Sequence, residues 1–270
     1  MEVLVMELRE VPKEVDEVTI TRAIVRSAAE DWIRIADSDV VVVGAGPSGL
    51  TAARYVAEAG FRTVVFERRL SYGGGIGGGG MLWHKVVVSQ PADEILREVG
   101  CRLEKSEDGV YVVDAAEMLA RLATAAIDAG VKVIFGVTVE DLMYALNPLR
   151  ITGVVVQWSA VNLAGLHVDP VAVRAKAVID CTGHDAEVLR VASKKIPELN
   201  LEVVGERSMN APSGERFVVE KTGEVCPGLY VSGMAVCALH GGPRMGPIFG
   251  GMLLSGKKVA GEVVRRLSKY

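Results

Sequence analysis

Residues 39–67 constrain the fold more tightly than any other stretch of the chain. A β-branched run, Asp39-Val40-Val41-Val42-Val43, of the kind buried in a parallel sheet, passes directly into Gly44-Ala45-Gly46-Pro47-Ser48-Gly49. Residues 50–59 have the pattern of a helix closed by Gly60, and Thr63-Val64-Val65-Phe66 reads as a second strand with Glu67 at its carboxyl end. A bare G-x-G-x-x-G is weak, but here strand, helix and acidic residue stand at the spacing of a dinucleotide-binding unit. In that reading Gly44 permits the tight turn, Gly46 lets the backbone approach a pyrophosphate, and Gly49 allows the helix to pack on the strand. The helix N-terminus then faces the phosphate charge, and Glu67 is placed to accept both hydroxyls of the adenosine ribose. The alternative is a turn of purely structural use.

Length and composition narrow the class. The 270 residues suffice for one large α/β domain or two small ones, and half are apolar, enough for a sizeable core. The segment 1–7 lacks a basic stretch followed by an apolar one, and no apolar run approaches a membrane span, so a soluble, cytoplasmic protein is expected. A formal charge of −4 without a lysine- or arginine-rich block gives no electrostatic reason to expect nucleic acid or an anionic membrane as partner. Cys101, Cys181, Cys226 and Cys237 show no C-x-x-C spacing, which disfavours zinc, and four reduced, mostly buried thiols are expected.

Before the first strand, Ile20, Ile24, Ala28 and Trp32 recur every four residues and define an apolar face on a helix over about 19–33, suited to packing on the sheet or on a neighbouring subunit. Between 73 and 80, seven of eight residues are glycine, interrupted only by Ile76. Low complexity is the bland reading. The other is a loop that brings backbone N–H groups close to a ligand, because it follows the second strand. Asp114-Ala115-Ala116-Glu117 opens a helix that runs to Gly130, followed by strands over 131–135, 151–158 and 175–180. Cys181-Thr182-Gly183-His184 leaves the last of these. A late strand and turn, 228–233, precedes a closing helix after Gly250-Gly251. These elements predict a single discontinuous dinucleotide-binding domain over 1–270, with a core of about 38–70 and 175–270 and an inserted segment of about 71–174. No internal repeat is visible.

The glycine turn, the Thr-Gly after an internal strand, and the late Gly-Leu-Tyr-Val-x-Gly strand together resemble the two-dinucleotide-binding-domain flavoprotein architecture. The expected fold class is therefore α/β and Rossmann-like, with an inserted β-rich segment. Flavoproteins of this type follow the late strand with Gly-Asp, whose carboxylate holds the ribityl chain, whereas Met234 follows Gly233 here.

With 44–49, Glu67-Arg68, the glycine loop 73–80, Leu166-His167-Val168-Asp169-Pro170, Thr182-Gly183-His184-Asp185 and His240-Gly241-Gly242-Pro243-Arg244-Met245-Gly246-Pro247, the chain resembles the thiamine thiazole synthase family in its archaeal form over nearly its whole length. The resemblance implies an enzyme that consumes NAD, releases nicotinamide, joins the ADP-ribose fragment to glycine, adds sulfur, and closes an adenylated thiazole carboxylate, with Fe(II) supporting sulfur transfer. It implies nucleotide contacts at Ser48, Glu67, Arg68, Gly75, Val139, His167 and Met234. It also implies iron ligands at Asp169 and His184, drawn from adjacent subunits of a homo-octamer, and a glycine-carboxylate partner at Arg244. Fungal and plant members carry a sulfur-donating cysteine where this chain has His167. Imidazole has no sulfur to give, so free sulfide and repeated turnover are implied.

The residues make chemical sense on their own terms. Pro170 biases Asp169 toward extended geometry, in which residues 167 and 169 share a face, and a carboxylate with an imidazole suits iron(II) while leaving coordination positions open. Taken alone, a pair such as His167 and Asp169 is more often a solvated loop pair than a metal site, and His184 alone reads also as a satisfied histidine at a strand end. Arg244 lies in a Pro- and Gly-rich loop where its guanidinium fork would fit a carboxylate, or it is an ordinary surface arginine. His84 and His240 carry no assigned chemistry, and Cys181 reads as core packing. Two other functions share the dinucleotide signature: an FAD-dependent oxidoreductase, which conflicts with Met234, and a non-catalytic NAD-binding module.

Overall fold

The structure, a computed structural model, describes residues 12–269; the stretch 1–11, with the 1–7 segment weighed above, lies outside the described residues. The chain divides into two units, Met1–Ala36 and Asp37–Tyr270. The described part of the first is mainly one helix, α1 (Glu17–Ile35), whose Asp16 cap accepts from the Thr19 backbone N–H at 2.8 Å and its hydroxyl at 2.9 Å. Along it Ile20 and Ile24, two members of the expected apolar stripe, are exposed.

The second unit is built on alternating strands and helices: β1 (Asp37–Val43), α2 (Pro47–Glu58) and β2 (Thr63–Glu67) come first. Then follow β3 (Lys85–Ser89), α3 (Asp93–Glu98), β4 (Glu104–Glu107), β5 (Val110–Asp114), α4 (Ala115–Asp128) and β6 (Lys132–Phe135). A long hairpin, β7 (Val137–Leu146) and β8 (Leu149–Trp158), leads through α5 (Ser159–Leu163) to β9 (Val171–Asp180). The chain closes with α6 (Glu187–Lys195), α7 (Ala211–Lys221), β10 (Gly223–Cys226), β11 (Leu229–Val231), α8 (Met234–His240) and α9 (Gly250–Leu267).

Strands β11, β9, β1, β2 and β6 lie side by side and parallel, with β10 antiparallel on the β11 edge. Burial explains the sequence pattern, because Val40, Val41, Val42, Val64 and Val65 have no exposed surface and a strand covered on both faces has no reason to alternate. The Rossmann-like α/β sheet is thus as expected. The β-rich segment takes two forms: β3, β5 and β4 make a separate antiparallel sheet, while β8 pairs antiparallel with the first residues of β9 and carries β7 into the main sheet. β6, from the same stretch of chain, completes the parallel row beside β2. Among the described residues no helix is long and apolar enough to cross a membrane.

The register brings strand ends to one edge. Val43 stands opposite Phe66 and Asp180, and Asp180 opposite Val231, so the chain leaves β1, β2, β9 and β11 side by side. This carboxyl edge is where open α/β sheets bind ligands. The glycine loop lies over it, tied by the Gly73 N–H donating to the Ala45 carbonyl at 2.7 Å, and turns through a short 3-10 segment, Ile76–Gly78. Its single side chain, Ile76, is completely buried.

Ile76 is therefore the anchor of a segment that otherwise has no side chains to pack. Ile76→Ala is expected to lower the unfolding free energy by about 2–4 kcal/mol in a denaturant titration. Val87→Ala, at a half-buried strand position, should cost markedly less.

Candidate functional site

A cavity of about 470 Å³ opens at the carboxyl edge of the parallel strands. The turn after β1 forms its floor. Gly44 has φ +100°, and a Cβ on it would stand 2.5 Å from the Cys181 carbonyl oxygen, while one on Gly49 would stand 2.0 Å from the Gly44 carbonyl oxygen. Only glycine fits either position. Gly44, Gly46 and Ser48 line the cavity; Gly49 sits behind them and lets α2 close onto the turn. Gly46 caps α2 and offers no side-chain acceptor, which leaves the N-terminal partial charge directed at the cavity end.

Glu67 lines the same cavity but is already engaged. One carboxylate oxygen accepts from the Ala45 N–H at 2.9 Å and the other from the Arg69 N–H at 2.9 Å. It therefore braces the glycine turn, and each oxygen keeps lone-pair capacity for a further donor. Arg68 bridges to Asp185 at 3.0 Å and to Glu187, joining the end of β2 to the segment after β9. Burial pushes the Glu187 carboxyl up from its ordinary range, and the Arg68 guanidinium opposes that push.

His184 is positioned by the way the chain leaves β9. Asp180 is completely buried; it accepts from the Thr182 N–H at 2.9 Å, the Thr182 hydroxyl at 2.7 Å and the Leu189 N–H at 2.9 Å. The Thr182 hydroxyl oxygen in turn accepts from the Glu187 N–H at 2.7 Å. Two side chains thus cap α6 across a 3-10 turn, Gly183–Asp185, and hold His184 at the cavity wall. Its Nδ1 lies 2.7 Å from a Glu206 carboxylate oxygen. Gly75, Val139, Met234 and Arg244 complete the expected residues that line the cavity. Met234 is the first residue of α8 and is buried, an apolar wall at the position where a flavin-binding carboxylate would stand.

His167 and Asp169 do not line this cavity. Both are exposed in the irregular stretch between α5 and β9, and among the described residues no group of three or more His, Cys, Asp or Glu side chains is arranged to hold a metal. His84 and His240 are exposed and outside the cavity; partial desolvation of its ring, with Lys221 nearby, lowers the affinity of His240 for its proton. The four cysteines are free thiols. Cys181 lines the cavity, and burial pushes its thiol far above the ordinary range, so it stays protonated and poorly nucleophilic.

One feature of the site left no motif in the sequence. Ser48 Oγ lies 2.5 Å from Ser232 Oγ, which is 2.8 Å from Ser255 Oγ, itself 2.5 Å from Thr222 Oγ1, and all four residues are buried. The direction of this chain of hydroxyls follows from its end. Thr222 donates its one proton to the Val218 carbonyl at 2.6 Å, so Ser255 donates to Thr222, Ser232 to Ser255, and Ser48 to Ser232. Ser255 also accepts from the Gly233 N–H at 2.8 Å. With its proton given to Ser232, Ser48 Oγ is left to accept, and Cys181 Sγ lies 3.9 Å from it at the cavity wall. Ser255→Ala leaves the Gly233 N–H without its acceptor and interrupts the chain. It is expected to cost about 2–4 kcal/mol in a denaturant titration, the sum of an orphaned buried N–H and the lost hydroxyl bonds.

Comparison with known proteins follows the same lines. Residues 21–249 match the Thi4 family. The chain is 60% identical over 257 residues to the thiamine thiazole synthase of Saccharolobus solfataricus, covering 95% of this chain and 96% of that one. It is 59% identical over 255 residues to the thiamine thiazole synthase of Sulfolobus acidocaldarius, covering 94% and 96%. The crystal structure of THI4 from Thermovibrio ammonificans is similar at a TM-score of 0.92 and 43% identity, over 95% of this chain and all (100%) of that one. With a match across most of its length and a glycine turn, carboxyl-edge cavity and fold in keeping with it, this chain belongs to the Thi4 family.

Proposed function

We propose that the protein is a sulfide-dependent thiazole synthase of thiamine biosynthesis that uses NAD as a substrate. It releases nicotinamide, joins the remaining ADP-ribose to glycine, and with sulfide and Fe(II) closes an adenylated thiazole carboxylate. The observation that carries this reading is that one cavity contains the dinucleotide turn, Glu67, His184 and Arg244 together. A flavin oxidoreductase fits less well, because buried Met234 offers a ribityl chain no carboxylate.

In this reading the α2 N-terminus and the 44–49 turn hold the pyrophosphate through backbone charge, and the spare lone pairs of Glu67 take the ribose hydroxyls. Val139 and Met234 supply apolar walls that keep water from the reacting end. Arg244 reaches the cavity from a loop whose backbone is fixed by the Arg244 N–H donating to the Arg207 carbonyl at 3.1 Å, and its fork pairs with the glycine carboxylate. His184 and Asp169 would hold the iron. The donor set, one imidazole and one carboxylate, fits Fe(II), and Asp169 and His167 are exposed outside the cavity that His184 lines, which supports a site that they complete from a neighbouring copy. When bound, the metal supplies open positions for sulfide delivery. Exposed Leu163, Leu166 and Val168 beside that segment are apolar surface for such a contact. The assembly proposed is a homo-octamer, and its compartment the cytoplasm.

Two experiments test the reading. Asp169→Ala and His184→Ala should each abolish thiazole formation from NAD, glycine, sulfide and Fe(II). Mixing the two after subunit exchange should restore activity in roughly a quarter of the sites, those that draw each intact ligand from a different subunit. Failure of mixing to restore any activity would refute the shared site. Arg244→Ala should weaken glycine use by roughly 30-fold to 150-fold, corresponding to about 2–3 kcal/mol of charge-assisted hydrogen bonding. NAD binding should hold, because the turn and Glu67 are untouched; an equal loss of both would assign Arg244 to the nucleotide instead.

A further inference from the structure

We infer that Glu206 is a positioning residue for His184: it fixes the imidazole in its Nδ1–H form and leaves Nε2 as the one ring lone pair available to a metal. The inference rests on the iron reading above and adds to it a residue that no motif marks. An ionised carboxylate only accepts, so the 2.7 Å contact between Glu206 Oε2 and His184 Nδ1 requires the proton on Nδ1. A neutral ring then carries its lone pair on Nε2, the form in which a metal-binding histidine is held by a carboxylate behind it.

Both partners are fixed by their backbones, which distinguishes this pair from a surface ion pair formed by chance. On the His184 side stand the Asp180 and Thr182 caps already described. On the other side, the Gly205 N–H donates to the Ala238 carbonyl at 2.7 Å and the Arg207 N–H to the Gly242 carbonyl at 2.8 Å, so Glu206 is pinned on either side. The same strip continues as a bridge between Arg207 and Pro243, and the Asn210 N–H donates to the Arg244 carbonyl at 2.9 Å. One short segment therefore orients the proposed metal ligand through a side chain and the proposed glycine-binding arginine through its main chain. The pair has little to do with stability, because both side chains keep solvent contact, 49% for His184 and 24% for Glu206, and such pairs contribute little to folding.

The test uses the full chain and three readouts: imidazole nitrogen shifts of His184 by NMR without metal, anaerobic Co(II) titration, and thermal melting. The wild type should show the Nδ1–H form. Glu206→Ala should lose that preference and bind Co(II) about 10-fold to 100-fold more weakly. Glu206→Gln, which keeps an acceptor oxygen, should lie between the two. Melting and NAD binding should not move in either variant. An Nε2–H form in the wild type, or Co(II) affinity unchanged in Glu206→Ala, would overturn the inference. A parallel loss of melting temperature and NAD binding would overturn it too, by making Glu206 a structural residue. Asp169→Ala separates the two readings: if Co(II) binding in the wild type does not depend on Asp169, the iron site as proposed fails, and the NMR readout alone then decides whether Glu206 orients His184.

Discussion

A single buried carboxylate holds the site together. Asp180 ends β9 with no exposed surface, and bringing a charge there costs several kcal/mol unless donors surround it. Burial alone favours its protonated form; the Thr182 and Leu189 N–H groups and the Thr182 hydroxyl oppose that. The N-terminal end of α6 adds favourable charge. The Asp180 carbonyl also accepts from the Ser232 N–H at 3.0 Å, so the same residue ties β11 to β9. From this point the chain divides its labour: the 183–187 segment faces Arg68 and Glu206, and Ser232 enters the hydroxyl chain that ends at Ser48. Loss of Asp180 would loosen both walls of the cavity at once.

The sequence was most legible where burial is complete or geometry is extreme. The valines of β1 and β2 and the glycines at 44 and 49 announce themselves because nothing else fits a doubly covered strand or a carbonyl 2.0 Å from a would-be Cβ. Helices α1, α2 and α4 and the start of α9 were located to within a few residues, whereas α7 was not anticipated. α8 left no trace because six of its seven residues are buried, and a helix covered all round has no periodic face to read. α6 was hidden for another reason. Its cap position is Ala186 in a left-handed conformation, while the groups that cap it come from Asp180 and Thr182, several residues upstream.

The same contrast runs through the site. Glu67 and Arg244 belong to recognisable local patterns. Glu206, Ser232, Ser255 and Thr222 are isolated polar residues whose meaning exists only after folding brings distant segments together; Ser48 and Ser232 are 184 positions apart. An Asp at the end of an apolar run was the one available signal for Asp180. Glu67 shows the limit of motif reading from the other side, since the expected ligand contact proves also to be a brace on the turn.

The buried Ile76 changes the thermodynamics of the glycine loop. Seven glycines would surrender more backbone freedom than any other residues on becoming ordered, of order 1–2 kcal/mol for each position. If a ligand had to impose that order, much of its contact energy would go into immobilising chain. Here one isoleucine in the core and the Gly73 bond to Ala45 have already met part of that requirement during folding. The loop is thus a preorganised rim rather than a flexible flap, and a ligand arriving at the carboxyl edge meets backbone groups whose directions folding has already set.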